Sequence, residues 1–222
     1  NRIYIQTTDK DYVERLSTEL TYRIAPRIKG QFPVIIRNFN RVSPVLVSIP
    51  GERIDLIPKG YEIIDKRIDE WVDFPVFKFD LRPSQLEIYN SIDSSCIINA
   101  APSWGKTFCG IAIAAKLKRK TLVVTHTTML RDQWVTEVKK TLGITPGIIG
   151  AGKVDTNSPI VIANIQTLSK RLDVLDEFGT LIVDECHHTP ATTFTNVVDK
   201  SKARYKIGLS GTIERKDGRH IV

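Results

Sequence analysis

The feature that most limits the possible folds is an alternation of short apolar runs with helical patterns after residue 82. Runs of three to five residues with little polar content are typical of strands that are buried on both faces. Five such runs span residues 96–100, 121–125, 160–163, 181–183 and 206–210. Helical patterns follow the first four, over residues 107–117, 127–142, 165–172 and 191–198. This alternation predicts an α/β fold in which helices cover both faces of a parallel sheet.

The first 75 residues have a different pattern and predict a small α+β module. A helix is expected to begin after Asp9 or Asp11 and to run to Leu20, with apolar residues on one face. Strands are predicted over residues 3–7, 34–37, 45–49, 53–57 and 61–65, with hairpin turns at residues 50–51 and 58–60. We therefore predict two domains, residues 1–75 and residues 76–222.

Composition limits the class of protein and its surroundings. The chain has 222 residues, 41% of them hydrophobic, which is enough to bury a core. Its 32 basic and 25 acidic residues give a net charge of +7, which suits a polyanion partner. Three cysteines, Cys96, Cys109 and Cys186, fit reduced thiols better than a disulfide framework. No apolar run approaches the roughly 20 residues that span a bilayer, and the first residues lack the apolar region of a secretory signal. We expect no membrane partner and a cytoplasmic protein, in the host cytoplasm if the source is a virus.

A phosphate-binding loop is predicted between the first strand and the first helix of the second domain. The segment ends in Gly105-Lys106-Thr107, and Ala100 stands where the usual motif begins with glycine. Backbone N–H groups at the start of a helix bind phosphate oxygens, and glycine lets the loop fold closely around them. Lys106 would reach the β- and γ-phosphates of ATP, and the Thr107 hydroxyl would bind Mg²⁺. The residues expected to line the nucleotide here are Ala101, Pro102, Ser103, Trp104, Gly105, Lys106, Thr107 and Phe108.

Two carboxylates follow the fourth apolar run. Asp184 and Glu185 come directly after residues 181–183. Ligands of open α/β sheets bind beyond the carboxyl ends of the strands, so Asp184 is expected to hold Mg²⁺ and Glu185 to polarise the attacking water. We expect Lys106 and this acidic pair to converge on one triphosphate from neighbouring strand ends. A solvated loop is the plainer alternative for the pair.

Six segments of the chain resemble the motifs of superfamily-2 helicases and translocases, and they occur along the chain in the same order as in that family. The loop with Lys106 resembles motif I, residues 184–187 resemble the DExH box and residues 210–212 resemble motif III. The remaining three segments are residues 122–134, residues 162–167 and residues 81–85. Motif III and the segment after it, residues 214–218, look like the XPB/Rad25 branch. The small module before the motor is similar to that branch and to UvsW-type branch-migration helicases. The resemblance implies a RecA-like domain that hydrolyses ATP with Mg²⁺ and acts on DNA.

The resemblance also implies roles for single residues. Gln85, preceded by Arg82, would select adenine. Ser210, Thr212 and His187 would couple the nucleotide site to DNA. Nucleic acid is expected across the sheet edge opposite the nucleotide, where the candidate contacts are Thr127, Thr128, Asn164, Gln166, Arg215 and Lys216. Trp134 lies on the apolar stripe of its helix and is predicted to be core.

Other features leave alternatives open. The run Lys116, Lys118, Arg119 and Lys120 at a helix end favours a structural role over DNA contact. Two hypotheses remain open for the basic residues of the first module: that they bind DNA, or that the module is purely structural. These residues are Arg23, Arg27, Lys29, Arg37 and Arg41. We expect a monomer that works with a second RecA-like domain of the same protein. Without that domain the ATPase should be weak, because a trans arginine contributes on the order of 10³–10⁵ in rate. An RNA helicase, a restriction-type translocase and a non-catalytic nucleic-acid-binding module with a vestigial nucleotide site are the alternatives.

Overall fold

The computed structural model describes residues 2–24, 32–51, 53–186 and 191–211. The chain divides into two compact units, Asn1–Asp65 and Lys66–Val222. This division lies before the boundary predicted at residue 75. The reason is that residues 66–75 belong to the larger unit, where the side chain of Phe74 is buried in the core.

Within its described residues, the smaller unit contains two small sheets and one α-helix of ten residues. Its elements are β1 (Arg2–Gln6), α1 (Lys10–Glu19), β2 (Thr21–Ile24), β3 (Val34–Arg37), β4 (Asn40–Ser43) and β5 (Leu46–Pro50). The first sheet has the order β1-β5-β4 and the second pairs β2 with β3. Asp9 begins α1, because its side chain accepts a hydrogen bond of 2.9 Å from the Tyr12 N–H. The predicted α+β module is confirmed in class.

Two strands predicted for the smaller unit are wrong. Residues 53–57 contain only a short 3-10 helix, Ile54–Leu56, and residues 61–65 form neither helix nor strand. The apolar residues that suggested these strands bury side chains without pairing with the sheet β1-β5-β4. Leu56, Ile57 and Tyr61 pack as loop residues against the core of this unit.

The larger unit has a seven-stranded sheet within the described residues. Its elements are α2 (Pro83–Ser91), β6 (Cys96–Asn99), α3 (Lys106–Leu117), β7 (Thr121–Thr125), α4 (Thr128–Leu142), β8 (Gly147–Gly150), β9 (Lys153–Val154), β10 (Ile160–Asn164), α5 (Ile165–Leu168), a 3-10 helix (Leu172–Glu177), β11 (Thr180–Val183), α6 (Ala191–Lys200) and β12 (Tyr205–Ser210). The strand order is β6-β12-β11-β7-β10-β8-β9. Every pair is parallel except β8 with β9. The five predicted strands are therefore present, and β8 and β9 are additional.

Successive side chains of the central strands point to opposite faces of the sheet and pack into two separate cores, one on each face. In β11, Ile182 packs with α3 and α4, while Leu181 and Val183 pack with α5 and α6. Full burial of such a side chain stabilises the fold by about 1.5–3 kcal/mol. The predicted α/β class with helices on both faces is confirmed. Within the described ranges, no helix is long and apolar enough to cross a membrane.

The basic run after α3 has structural partners, as predicted. The Nζ atom of Lys116 donates to the Tyr89 carbonyl at the end of α2. The guanidinium of Arg119 lies 2.8 Å from Asp69 and stacks over the ring of Trp71 at 4.3 Å. The Lys116 contact joins α3 to α2, and the Arg119 contacts join the segment before α2 to the connection between α3 and β7.

Candidate nucleotide-binding site

The loop between β6 and α3 has a backbone that favours glycine. Gly105 is the N-cap residue of α3 with φ +90°, and a Cβ placed there would lie 2.7 Å from Nε2 of Gln85. Glycine is therefore required by conformation and by contact. Ser103 also has a positive φ, +64°, in a region that costs a residue with a side chain about 1–3 kcal/mol. The Trp104 N–H closes the turn on the carbonyl of Ala101 at 3.2 Å.

The start of α2 is tied to this loop. Gln85 is buried; its Oε1 accepts from the Arg82 N–H at 3.0 Å, and its Nε2 donates to the Trp104 carbonyl at 2.9 Å. The Arg82 guanidinium donates to the same carbonyl. The structure thus brings Arg82, Gln85 and the loop together, as the motif order implied. The choice of adenine by Gln85 stays a prediction, because both ends of its amide bind protein atoms here.

Lys106 is the first residue of α3, and its side chain turns into the sheet edge. Only 9% of it is exposed. Its Nζ donates to the Ala100 carbonyl at 3.1 Å and lies 3.5 Å from Oε1 of Glu185. A buried ammonium needs such partners, because desolvation penalises its charge.

Asp184 follows β11 and is 4% exposed. Its Oδ2 accepts from Nε1 of Trp134 at 2.8 Å, and its Oδ1 accepts from the Glu185 N–H at 3.1 Å. Burial raises the pKa of the Asp184 carboxyl above its usual range, since desolvation outweighs these two hydrogen bonds. Glu185 has φ +45°, a strained conformation that directs its side chain toward Lys106.

The strands that carry Lys106 and Glu185 are not neighbours, contrary to our expectation. Strand β12 lies between β6 and β11. The two side chains meet beyond its end, at Gly211, where a Cβ would lie 3.6 Å from Lys106 Nζ and 3.7 Å from Glu185 Oε2. Ser210, just before it, is fully buried, and its carbonyl accepts from the Ala100 N–H at 2.9 Å. Convergence of Lys106 and Glu185 therefore depends on the end of β12.

The other predicted loop residues differ in their surroundings. Pro102 is exposed and Thr107 is partly buried, one position after Lys106. The ring of Phe108 packs edge-on against Phe77 at 5.0 Å and against Phe79 at 6.0 Å. Phe108 thus belongs to an aromatic cluster beside the loop.

The donor set suits a magnesium–nucleotide complex. The acidic pair supplies hard oxygen ligands, which Mg²⁺ prefers, and each oxygen of Asp184 accepts only one hydrogen bond from the described residues. The helix start at Lys106 supplies backbone N–H groups for phosphate. The buried ammonium of Lys106 extends from this helix start to within 3.5 Å of Glu185 in the acidic pair.

The four candidate DNA contacts among the described residues lie at the same sheet edge as the phosphate loop, not at the opposite edge. Parallel strands end at one edge, and these residues follow β7 and β10 just as the loop follows β6. Thr127 caps α4 by accepting from the Leu130 N–H at 3.2 Å, and the next residue, Thr128, is exposed. Asn164 likewise caps α5 by accepting from the Gln166 N–H at 3.0 Å.

The two loops that carry these contacts are joined by one side chain. Nε2 of Gln166 donates to the His126 carbonyl at 3.2 Å. The remaining predicted contacts and couplers lie outside the described residues; they are His187, Thr212, Arg215 and Lys216. The same applies to Arg27 and Lys29 of the first module.

Sequence reasoning placed Trp134 in the core but missed its bond to Asp184. The ring is fully buried, as predicted. A buried indole N–H usually has an acceptor, and this rule was the available signal. The identity of the acceptor, 50 residues away, could not be read from the helix pattern.

Comparison with known proteins places this site in a family. The sequence-family model described as type III restriction enzyme, res subunit, matches residues 78–215. The chain belongs to this family. The likeness to superfamily-2 helicases, and to the XPB and UvsW types among them, is confirmed by this match together with the relatives below.

Two relatives of this chain, one more similar and one less similar in sequence, are named as a helicase and a translocase. "Probable helicase D10" of Escherichia phage T5 is 45% identical over 229 residues, covering 100% of this chain and 50% of the relative. The DNA 3'-5' translocase XPB2 of Sulfurisphaera tokodaii is 31% identical over 168 residues, covering 74% of this chain and 38% of the relative. The chain thus spans half or less of the length of these relatives.

A solved structure shows the same fold. The UvsW helicase of bacteriophage T4 matches with a TM-score of 0.66 at 20% identity. The match covers 92% of this chain and 87% of that one. The RecA-like fold predicted from the motifs is confirmed by this likeness.

Proposed function

We propose that this chain is the ATP-binding part of an ATP-dependent DNA helicase or translocase. The observation that carries the proposal is the meeting of Lys106 and Glu185 at 3.5 Å, with Asp184 buried beside them. These groups come from the helix after β6 and from the end of β11. A cation and two carboxylates at one strand edge are what phosphoryl transfer from a nucleotide requires.

Each residue has a role in this proposal. Lys106 holds the β- and γ-phosphates, and its bond to the Ala100 carbonyl positions it. Asp184 and Thr107 hold Mg²⁺, which when bound offsets negative charge on the phosphate oxygens. Glu185 accepts the proton of the attacking water. Arg82 and Gln85 bind the adenine side of the nucleotide.

The proposed nucleic-acid surface lies on the loops after β7 and β10. Thr127 and Thr128 offer amides and a hydroxyl at the start of α4, and the side chains of Asn164 and Gln166 lie at the start of α5. Helix starts bind phosphate, so these loops suit a nucleic-acid backbone. DNA is favoured as the substrate because three of the relatives are named as DNA 3'-5' translocases or helicases.

The test is the ATPase rate of the full-length protein with single-stranded, duplex, forked and four-way DNA, and with matched RNA. We expect stimulation by at least one DNA form and loss of hydrolysis in Lys106→Ala. The exposed Lys140→Ala, on α4, is the matched control and should keep the wild-type rate. Absence of Mg²⁺-dependent ATP binding in the wild-type protein would leave a non-catalytic module.

An RNA helicase is the second candidate. Protein L396 of Acanthamoeba polyphaga mimivirus, which is named as an ATP-dependent RNA helicase, is 37% identical over 242 residues. It covers 96% of this chain and 44% of its own length. Stimulation of the ATPase by RNA and not by DNA would select this candidate.

A further inference from the structure

The hydrogen bond between Trp134 and Asp184 joins the core to the proposed metal site. Nε1 of Trp134 lies 2.8 Å from Oδ2 of Asp184. The tryptophan is fully buried and the aspartate nearly so. A buried N–H that lost its acceptor would be left without a hydrogen bond and without water, so this geometry is strongly favoured.

The indole ring is held in place by a glycine. A Cβ at Gly110 would lie 2.9 Å from Cη2 of Trp134 and 3.4 Å from Cδ1 of Leu209. Gly110 lies in α3, about one turn after Lys106. The ring therefore packs closely against the helix of the phosphate loop, and it cannot approach this closely if residue 110 has a side chain.

The second oxygen of the carboxylate is also held. Oδ1 of Asp184 accepts from the Glu185 N–H at 3.1 Å. With one donor on each oxygen, the plane of the carboxylate is set by two bonds. Each oxygen keeps a lone pair for a metal ion or its water.

We propose that Trp134 is a positioning residue for Mg²⁺–nucleotide binding, acting through the orientation of Asp184. The inference rests on the proposed function. A tryptophan that only filled the core could be replaced by another large apolar ring, whereas this role needs the N–H group. Donors that orient metal ligands typically contribute 10–100-fold to metal affinity.

The experiment measures the Kd of ATP for the full chain in EDTA and in excess Mg²⁺. The ratio of the two values is the enhancement by Mg²⁺. In Trp134→Phe, which keeps a ring and removes the N–H, the enhancement should fall about 10-fold or more. The Kd in EDTA should change little, because Asp184 acts through the metal.

Val138→Ala is the matched control for lost packing. Val138 lies one turn further along the same buried face of α4 and belongs to the same core. This variant should lower the melting temperature and keep the wild-type enhancement. Equal loss of enhancement in Val138→Ala and Trp134→Phe would reduce Trp134 to a packing residue.

Gly110→Ala tests the same bond without removing the donor. Alanine normally stabilises a helix interior relative to glycine. Here its methyl group would displace the indole, so we expect lower stability and a smaller enhancement. A wild-type enhancement in both Gly110→Ala and Trp134→Phe would overturn the inference. No enhancement in the wild-type chain would instead count against the proposed function.

Discussion

The ammonium group of Lys106 lies 3.5 Å from a carboxylate oxygen of Glu185, beyond the end of β12. In this structure the proposed phosphate-binding cation is thus partnered by the proposed catalytic base. A bound triphosphate would compete with Glu185 for Lys106, because both are anions. Nucleotide binding is therefore expected to release the Glu185 carboxylate toward water.

The first prediction concerns Glu185→Gln, which keeps the size of the side chain and removes its charge. The variant should still bind Mg²⁺–ATP, since the amide no longer competes for Lys106. Loss of a general base should lower single-turnover hydrolysis in the full-length protein by about 10²–10⁴-fold.

The control for that experiment is Glu177→Gln, which removes an exposed partner of Lys120 at the other end of the strands. It should hydrolyse ATP at the wild-type rate. Hydrolysis by Glu185→Gln within a few fold of wild type would remove Glu185 from the proposed role.

The second prediction separates backbone strain from contact in the phosphate loop. Gly105→Ala places a methyl group 2.7 Å from Nε2 of Gln85, in a backbone with φ +90°. Nucleotide affinity should fall about 10-fold or more, and the free energy of unfolding should fall by about 1–3 kcal/mol. Isothermal titration with ATP and thermal unfolding measure the two effects.

Gly143→Ala is the matched variant for strain alone. Gly143 ends α4 with φ +70°, and a Cβ there would meet no atom within 4 Å. It should lose stability of similar size and keep its affinity for ATP. A parallel fall in affinity in both variants would mean that global stability, rather than the loop, controls binding.

The third prediction follows from the buried carboxyl of Asp184, measured without metal. Its pKa is raised by desolvation, so the protein is more stable while this group is protonated and loses that contribution as pH rises through the raised pKa. Asp184→Asn removes the charge and keeps an oxygen for Trp134. The variant should be more stable than wild type at pH 7 in EDTA, and the difference should shrink as pH falls toward about 4.

Urea unfolding of both proteins from pH 4 to pH 8 measures this difference. The same variant should lose the enhancement of ATP binding by Mg²⁺. If Asp184→Asn were less stable than wild type at pH 7, burial of the carboxylate would not be the dominant effect.

The amino-acid sequence alone determined the class of the larger unit and the main parts of its site. Each of those features is local: an apolar run, a Gly-Lys-Thr tripeptide before a helix, and two carboxylates after a strand. Even the cap of α1 by Asp9 follows from neighbouring residues, because the bond joins Asp9 to the Tyr12 N–H. Local backbone preference and hydrophobic period suffice for such features.

Only the tertiary structure decided which distant groups meet. The place of β12 between β6 and β11, the bond of Trp134 to Asp184 and the fit of Trp134 against Gly110 all join segments far apart in the chain. Hydrophobic periodicity marks a residue as buried without identifying its partner, since burial is non-directional. For the same reason residues 53–57 resembled a strand, although their apolar side chains pack against the core from a 3-10 helix and a loop.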